Sequence, residues 1–149
     1  MKAVIQKVTR ASVTVDDRVT GEIGDGFLIL LGIKKGDATV EADLLADKIA
    51  CLRIFPDEKG KLNRSLQDVG AGALVISNFT LYADCSSGRR PDFQKAAPYA
   101  EANVLYEYFC DRLRRDGIPC QTGEFGADMK VDLLNDGPIT IVIETDELK

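Results

Sequence analysis

The chain opens with short runs in which apolar and polar residues partly alternate, a pattern that is typical of β-strands. Three such runs lie at residues 2–8, 11–15 and 19–23, and a fourth strand-like run lies at residues 26–33. Asp16-Asp17 supplies a turn between the second and third runs. The fourth run, GFLILLGI, is continuously apolar, which predicts a strand that is buried on both faces. We therefore predict that a hairpin or meander begins the fold.

Two later segments carry apolar residues at three- and four-residue steps, which indicates amphipathic helices. The first spans residues 39–54, with Asp37 or Thr39 available as its N-cap. The second begins at Pro98, since proline is well tolerated in the first turn of a helix. It ends at Gly117, which can adopt a left-handed conformation. Each helix needs a sheet to cover its apolar stripe.

The remaining apolar runs predict four more strands, at residues 73–82, 119–123, 129–134 and 139–145. Asn135-Asp136-Gly137-Pro138 lies between the last two and has the residue types of a turn, so we predict a hairpin connection there. No linker divides the chain. The predicted fold class is α+β, a single domain of residues 1–149 with an antiparallel or mixed β-sheet curled toward a barrel and covered by two main helices.

Composition narrows the possible chemistry. The chain has no histidine, and its four cysteines show no C-x-x-C spacing. Zinc binding is therefore disfavoured, we expect neither a metal nor a cofactor, and we expect the cysteines to be reduced thiols. The lack of histidine also removes the usual base of Ser-His and Cys-His hydrolases, so a hydrolase built on this chain must activate its nucleophile differently.

Hydropathy and charge limit the possible partners. The longest apolar run, Phe27 to Leu31, is far shorter than the ~20 residues that span a bilayer, so we expect a cytoplasmic protein without a membrane partner. A formal net charge of −5 opposes tight binding along a nucleic-acid backbone, and no DNA partner is expected. Two clusters of cations are either solvated surface or contacts to RNA phosphate: Arg89, Arg90 and Lys95, and Arg112, Arg114 and Arg115.

The first candidate site is SNFTL at residues 77–81, where an apolar strand runs into three polar side chains separated by one aromatic residue. In one interpretation the strand simply leaves the core, and Ser77 and Thr80 face water. In the other, the end of the strand presents main-chain N–H groups to a ligand oxyanion. Both interpretations stay open on these residues alone.

The second candidate site is Gly137-Pro138, within the predicted turn. Proline accepts a cis peptide bond at modest cost, and glycine lacks a side chain. This dipeptide can therefore bring its carbonyl groups close to a small ligand.

SNFTL and NDGPIT, in this order and near this separation, resemble the paired motifs of the D-aminoacyl-tRNA deacylase family. The resemblance covers essentially the whole chain, from QKVTRASVTV near its start through GRRPDF to FGADM at residues 125–129. It implies a sheet-rich fold with two helices and a homodimer, in which each active site takes SNFTL from one subunit and the Gly-Pro motif from the other. The implied substrate is the aminoacylated 3′ end of tRNA carrying a D-amino acid or glycine, including glycine mischarged on the tRNA for alanine.

The resemblance assigns the chemistry to the first motif, which comprises Ser77 and Asn78 as substrate-binding residues and Phe79 and Thr80 as catalytic residues. The main-chain N–H groups of Phe79 and Thr80 would donate to the ester carbonyl oxygen while water attacks. The 2′-hydroxyl of the terminal ribose would assist, which suits a chain without histidine. The alternative is Thr80 as a covalent nucleophile, although SNFTL contains no base to activate it.

The resemblance assigns substrate selection to other residues. The carbonyl groups of Gly137 and Pro138 from the neighbouring subunit would receive the substrate's amino group, and an L side chain would collide with this backbone. Phe125 and Met129 would flank the terminal adenosine; the alternative for both is a place in the core.

Two positions depart from the family's usual pattern. Asn78 stands where glutamine is usual, and Ser87-Gly88 stands where a Lys-Gly pair is usual. Two other functions also fit the sequence: a non-catalytic module that binds aminoacyl-adenosine-like ligands or a protein partner, and a purely structural dimerising protein. An assay of ester release from D-aminoacyl-tRNA distinguishes the enzyme from both.

Overall fold

Three consecutive antiparallel strands begin the fold. The computed structural model describes residues 1–149, and in it these strands are β1 (Lys2–Val15), β2 (Arg18–Ile23) and β3 (Gly26–Gly32). β1 pairs with β3 through its first half and with β2 through its second half. Of the two predicted arrangements the hairpin is confirmed, because β1 and β2 pair across a tight turn in which Asp16 and Asp17 take positive φ angles of 48° and 63°, whereas β3 pairs with β1 and not with β2. Residues 2–8 and 11–15 are one strand, because the backbone stays extended between them.

The second half of the chain completes a six-stranded mixed sheet. Strands β6 (Gly72–Ser77) and β7 (Cys120–Thr122) add in parallel beyond β3, while β8 (Lys130–Glu144) is antiparallel to β1. β4 (Phe55–Pro56) and β5 (Leu62–Arg64) form a separate small hairpin. The sheet curls so far that a Cβ on Gly21 of β2 would lie 2.4 Å from the carbonyl oxygen of Thr122 in β7. This close approach nearly closes the barrel that the sequence predicts.

Two main helices, α1 (Thr39–Cys51) and α3 (Tyr99–Arg115), cover the sheet, and a short helix α2 (Leu66–Val69) follows the small hairpin. The apolar stripes of both main helices join β3 in one core, as predicted, and β3 is buried on both faces. Phe27, Leu45 and Phe109 are fully buried there. No helix is both long and apolar enough to cross a membrane.

The helix ends differ in detail from the prediction. Ala38 is the N-cap of α1 in place of Asp37 or Thr39, and Glu41 accepts a hydrogen bond from the Ala38 N–H at 2.7 Å. The Asp37 carboxylate is instead engaged by the N-terminal ammonium group of Met1, at 2.9 Å. Helix α1 ends at Cys51, so residues 52–54 are not helical. Pro98 is the N-cap of α3, and Gly117, at φ 81°, ends that helix in the predicted left-handed conformation.

The hairpin predicted at residues 135–138 is wrong. Residues 130–144 form the single strand β8, and both of its halves pair with β1. β1 is long enough to supply partners on both sides of the turn-forming residues, which are accommodated as irregularities in the register opposite Lys7. Asn135 stabilises this bulge, because its side-chain amide donates to the carbonyl oxygens of Lys7 at 3.0 Å and Ile139 at 2.9 Å.

Candidate active site

A pocket of about 660 Å³ opens at the carboxyl ends of β3 and β6, and most of its lining is apolar. The structure brings six of the eight residues predicted for the site together in its wall: Ser77, Asn78, Phe79, Thr80, Phe125 and Met129. Apolar pockets with a few polar groups are the usual form of small-ligand sites. The pocket is therefore the candidate active site.

The polar side of the pocket is a single 3₁₀ turn. The strand predicted at residues 73–82 ends early, because β6 stops at Ser77 and Phe79–Tyr82 form this turn. The first N–H groups of a helical turn have no acceptor within it. No loop or cap hydrogen bond uses the N–H groups of Phe79 or Thr80 either. Two neighbouring main-chain donors are therefore free at the pocket wall, as an oxyanion site requires.

The side chains of Asn78 and Thr80 contact each other within this turn, since the Thr80 hydroxyl donates to the side-chain carbonyl oxygen of Asn78. An amide oxygen accepts a hydrogen bond but is not a base at neutral pH. The Thr80 hydroxyl is therefore held without being activated. The main chain of Asn78 is fixed separately, because its N–H donates to the Leu31 carbonyl oxygen at 2.8 Å.

Replacement of Asn78 by glutamine is expected to change kcat/KM by less than about tenfold, or 1.4 kcal/mol. The reason is that main-chain bonds hold residue 78 in place, and a glutamine amide can still accept from Thr80. Steady-state hydrolysis measurements test this, with Asn78→Ala as the variant that removes the acceptor. A larger loss for glutamine than for alanine would show that the site is built around the shorter side chain.

A charged cluster supports the turn from its far side. The Tyr82 hydroxyl donates to Glu144 at 2.7 Å, and the Lys2 ammonium lies 3.4 Å from the same carboxylate and donates to the Leu81 carbonyl oxygen at 3.3 Å. Burial, and then the neighbouring Glu144 carboxylate, raise the pKa of Tyr82 well above its ordinary value. The hydroxyl stays protonated and keeps donating at every physiological pH.

The apolar side of the pocket is built around Phe125, which packs against the main core. Its ring lies 4.8 Å from that of Tyr99 and 5.5 Å from that of Tyr106. Met129 packs against Gly123 so closely that a Cβ there would lie 2.6 Å from its sulfur atom. Phe125 and Met129 are thus partly buried and also exposed to the pocket, so core packing and ligand contact are both available to them.

Gly137 and Pro138 do not line this pocket. They are exposed and joined by a cis peptide bond. In the sheet they lie opposite Lys7 of β1, whereas Ser77 pairs with Leu31, which in turn pairs with Ala3 of β1. Four residues along a strand amount to roughly 13 Å, and three strand spacings of ~4.8 Å separate β8 from β6. Within one subunit, a single ester group cannot touch both predicted motifs.

The segment before Gly137 is held firmly from one side. Lys7 is largely buried and forms an ion pair with Asp136 at 3.1 Å. The side-chain amide of Asn135 donates to the carbonyl oxygens of Lys7 and Ile139. Such support around an exposed dipeptide indicates that its backbone presents a defined shape to solvent or to a partner.

The two predicted cation clusters differ in their surroundings. Arg112 pairs with Asp43 and Asp47 of α1 and with Asp116, so it joins the two main helices, while Arg114 donates to the Cys120 carbonyl oxygen of β7. Arg89 and Arg90 make no ion pair or side-chain hydrogen bond and are exposed. Their loop is closed by reciprocal main-chain hydrogen bonds between Asp84 and Asp92, of 2.7 and 2.9 Å. They remain candidates for phosphate contact.

The loop that carries these arginines is anchored by Asp84. Hydrogen bonds from the Ser86 hydroxyl and N–H, together with the Lys95 ammonium at 3.2 Å, lower the pKa of Asp84 to about 2. The carboxylate is therefore ionised near neutral pH. Beyond the loop, Phe93 lies edge-on to Phe79, with ring centroids 5.1 Å apart, which connects the loop to the candidate site.

Most of the lining residues that were not predicted from the sequence are apolar or glycine; the two that carry polar groups are Tyr99 and Asp128. Asp128 is the one carboxylate in the lining and pairs with Lys130 at 3.1 Å. Tyr99 occupies the first turn of α3, where its spacing gave no sign of a site. Asp128 lies within the FGADM segment, but nothing in the sequence marks its side chain or that of Tyr99 as a pocket residue; only the folded chain places them there. No group of three or more metal-ligating side chains occurs.

The fold and site together define a class: a single-domain α+β protein with a largely apolar pocket that offers two free main-chain hydrogen-bond donors. A model of the family described as D-Tyr-tRNA(Tyr) deacylase matches residues 4–144. The chain therefore belongs to this family, and it is a hydrolase.

Individual relatives agree with this assignment. D-aminoacyl-tRNA deacylases of Ruegeria pomeroyi and Geotalea uraniireducens are 58% and 56% identical, over 95% and 100% of this chain and 97% and 96% of theirs. The solved structure of a protein described as c-Myc DNA Unwinding Element Binding Protein is similar with a TM-score of 0.91 at 43% identity, covering 97% of this chain and 98% of that one. A probable eukaryotic D-amino acid tRNA deacylase shares the fold, with a TM-score of 0.76 at 18% identity, over 95% of this chain and 97% of that one.

Proposed function

We propose that this protein hydrolyses the ester bond between a D-amino acid and the 3′ end of tRNA, releasing the free amino acid and the tRNA. Glycyl-tRNA, including glycine mischarged on the tRNA for alanine, is a second substrate. The observation that carries the proposal is the pair of free main-chain donors at Phe79 and Thr80 in an apolar pocket of a chain from this family.

The donors would act on the ester carbonyl group. As water attacks, negative charge develops on the carbonyl oxygen, and two fixed N–H groups stabilise it without reorganising. The turn that carries them is supported from behind by the cluster of Lys2, Tyr82 and Glu144. A rigid turn keeps both donors aimed at one point, which is the condition for stabilising the transition state more than the ground state.

Activation of the attacking water belongs to the substrate in this proposal. None of the six predicted residues in the pocket wall can act as a base at neutral pH, and the Thr80 hydroxyl is occupied by Asn78. The vicinal 2′-hydroxyl of the terminal ribose lies next to the ester in any bound pose. It therefore supplies the proton transfer that the protein does not, while Phe125 and Met129 hold the adenine.

Two subunits would form each site. Gly137 and Pro138 are exposed and too far from the pocket of their own chain, yet their backbone is firmly held. A symmetric homodimer that places them over the partner's Phe79 and Thr80 completes two equivalent sites. Their carbonyl groups then accept from the substrate's amino group.

Selection for D-amino acids and glycine follows from that arrangement. With the ester and the amino group both fixed, the third substituent of an L-amino acid points into the backbone of Gly137 and Pro138, which cannot move aside. A D side chain points away, and glycine has none. Steric exclusion of this kind rejects L-aminoacyl-tRNA without reading the side chain.

Matched tRNAs charged with a D-amino acid, its L-enantiomer or glycine provide the direct test. We expect release from the D-aminoacyl and glycyl substrates and at least about a hundredfold lower kcat/KM for the L-substrate. Binding without release would identify a non-catalytic module, and neither binding nor release would identify a structural protein. DNA binding is not proposed, because the net charge of −5 opposes it.

A further inference from the structure

A tyrosine side chain stands in the open at the mouth of the pocket. Tyr99 lines the pocket, yet 64% of it is exposed. Tyrosine combines a large apolar ring with a polar hydroxyl and is enriched where proteins meet their ligands and partners. Because Tyr99 lies beside the pocket and not on a remote surface, its ring is placed to contact a ring of a bound ligand.

Tyr99 is held in one orientation by its neighbours. Its hydroxyl donates to the Phe125 carbonyl oxygen at 3.3 Å, and its ring meets the Phe125 ring edge-on, at an interplanar angle of 79°. A Cβ on Gly126 would lie 2.5 Å from the ring, and Gly126 also has a positive φ of 81°, so only glycine permits this close packing. The ring is therefore a fixed wall, and its remaining surface faces solvent.

The depth of Tyr99 in the pocket, compared with Phe125 and Met129, indicates which part of a bound ligand can contact its ring. Phe125 is packed against the core, and Met129 is partly buried, so these two lie deeper in the pocket than Tyr99 does. A nucleoside bound between Phe125 and Met129 fills the deep part of the pocket. A chain attached to its 5′ side then leaves through the mouth of the pocket, where Tyr99 offers an exposed aromatic ring.

We propose that Tyr99 is a stacking platform for the base of the nucleotide that precedes the terminal adenosine of the substrate. The inference rests on the proposed function, since it takes the tRNA 3′ end as the ligand. Single-stranded nucleic acids are commonly bound by aromatic side chains on which successive bases stack, because every base has a π-face. A pre-oriented ring gains more from such contact than a mobile one, since little side-chain freedom is lost on binding. Tyr99 is thus a positioning residue that extends recognition by one nucleotide beyond the deep pocket.

A series of truncated substrates tests this assignment. The substrates are 3′-O-(D-aminoacyl)adenosine, the same ester on the dinucleotide CpA, and D-aminoacyl-tRNA. For the unmodified protein we expect kcat/KM to rise from the nucleoside to the dinucleotide, mainly through a lower KM. In Tyr99→Ala that rise should disappear. We expect kcat/KM to fall about tenfold for the dinucleotide and for tRNA, and kcat/KM for the nucleoside to stay within about twofold of the unmodified protein.

Three variants keep the result interpretable. Tyr99→Phe and Tyr99→Trp retain a ring and should restore most of the rise, which a merely structural role for the hydroxyl would not allow. Val104→Ala on the same helix removes another exposed apolar side chain, 66% exposed and outside the pocket, and should have no effect on any substrate.

The possible outcomes distinguish failure of the Tyr99 proposal from failure of the proposed function. Equal losses on the nucleoside and the dinucleotide would place Tyr99 against the terminal adenosine, and no loss on either would leave it without a role; both results overturn the platform. Failure of the unmodified protein to cleave any of the three substrates would overturn the proposed function itself.

Discussion

Replacement of Gly137 by alanine is expected to reduce kcat/KM for D-aminoacyl-tRNA by at least about a hundredfold. Residue 137 has a φ of 135°, which alanine rarely adopts, and an added Cβ would lie 2.8 Å from both the nitrogen and the Cγ1 atom of Ile139. The backbone around residue 137 must therefore shift. A displacement of about 1 Å in a substrate-positioning group suffices for a hundredfold loss in rate.

Gly60→Ala is the matched control for this substitution. Gly60 also has a positive φ, of 78°, but lies in the turn of the small β4–β5 hairpin, with nothing within 4 Å of an added Cβ. Both substitutions carry about 1–3 kcal/mol of backbone strain. Thermal unfolding should show a small loss of stability for each variant, whereas only Gly137→Ala should lose activity. Activity of Gly137→Ala within about threefold of the unmodified protein would remove this dipeptide from the site.

Mixed dimers then test whether the dipeptide acts across subunits. Gly137→Ala is combined with a second inactive variant that damages only the pocket, such as Phe125→Ala. If each site takes one motif from each subunit, a heterodimer contains one intact site and one site with both defects. An equimolar statistical mixture should recover about a quarter of full activity, because half of the dimers are mixed and each has one working site. No recovery would mean that both motifs serve a single subunit.

Removal of the 2′-hydroxyl from the terminal ribose is expected to reduce deacylation by at least about a hundredfold. The six predicted residues of the pocket wall include no general base, the one carboxylate of the lining, Asp128, is paired with Lys130, and general acid–base assistance is worth about 10²- to 10⁴-fold. The measurement is single-turnover release from D-aminoacyl-tRNA ending in 2′-deoxyadenosine, compared with the ribose form. Equal binding of the two substrates, measured by competition, confines the effect to the chemical step.

Thr80→Ala is the partner experiment and should retain activity within about tenfold. The variant keeps both main-chain donors and loses only a hydroxyl that donates to Asn78. Loss of a true covalent nucleophile costs several orders of magnitude, about 10⁶ in a well-studied serine hydrolase. An inactive Thr80→Ala protein together with normal cleavage of the deoxy substrate, or an acyl group trapped on Thr80, would replace ribose assistance by threonine catalysis.

Local patterns in the sequence were sufficient for the class of fold, the two main helices and most of the main-sheet strands, but not for the small β4–β5 hairpin or α2. The apolar run at residues 26–33 predicted a doubly buried strand, since it has no polar face to turn toward water, and β3 has this burial. The helical spacing after Thr39 and after Pro98, with Gly117 as a stop, located α1 and α3 to within a few residues. The lack of histidine, evident from composition alone, excluded the usual base of Ser-His and Cys-His hydrolases.

Local patterns failed where a distant strand decided the outcome. Residues 135–138 have the composition of a turn, but β1 offers pairing partners on both sides of them, so the chain stays in one strand. Conversely, the sequence predicts a strand through residue 82, but the strand ends before Asn78 because its partner β3 ends at Gly32. Leu81 and Tyr82 pack closely against Gly32, and this packing needs a turn. Pairing is a long-range property, and residue propensity is too weak to override it.

The site itself belongs mostly to the tertiary structure. The sequence by itself singled out SNFTL and the Gly-Pro pair, since each breaks an apolar pattern with residues suited to ligand contact. Only the folded chain joined SNFTL to Phe125 and Met129 in one pocket, added Tyr99, and placed Gly137 on a different part of the sheet. The physical reason is that a pocket is bounded by segments far apart in the chain, whose proximity is set by sheet order and packing and leaves no mark on neighbouring residues.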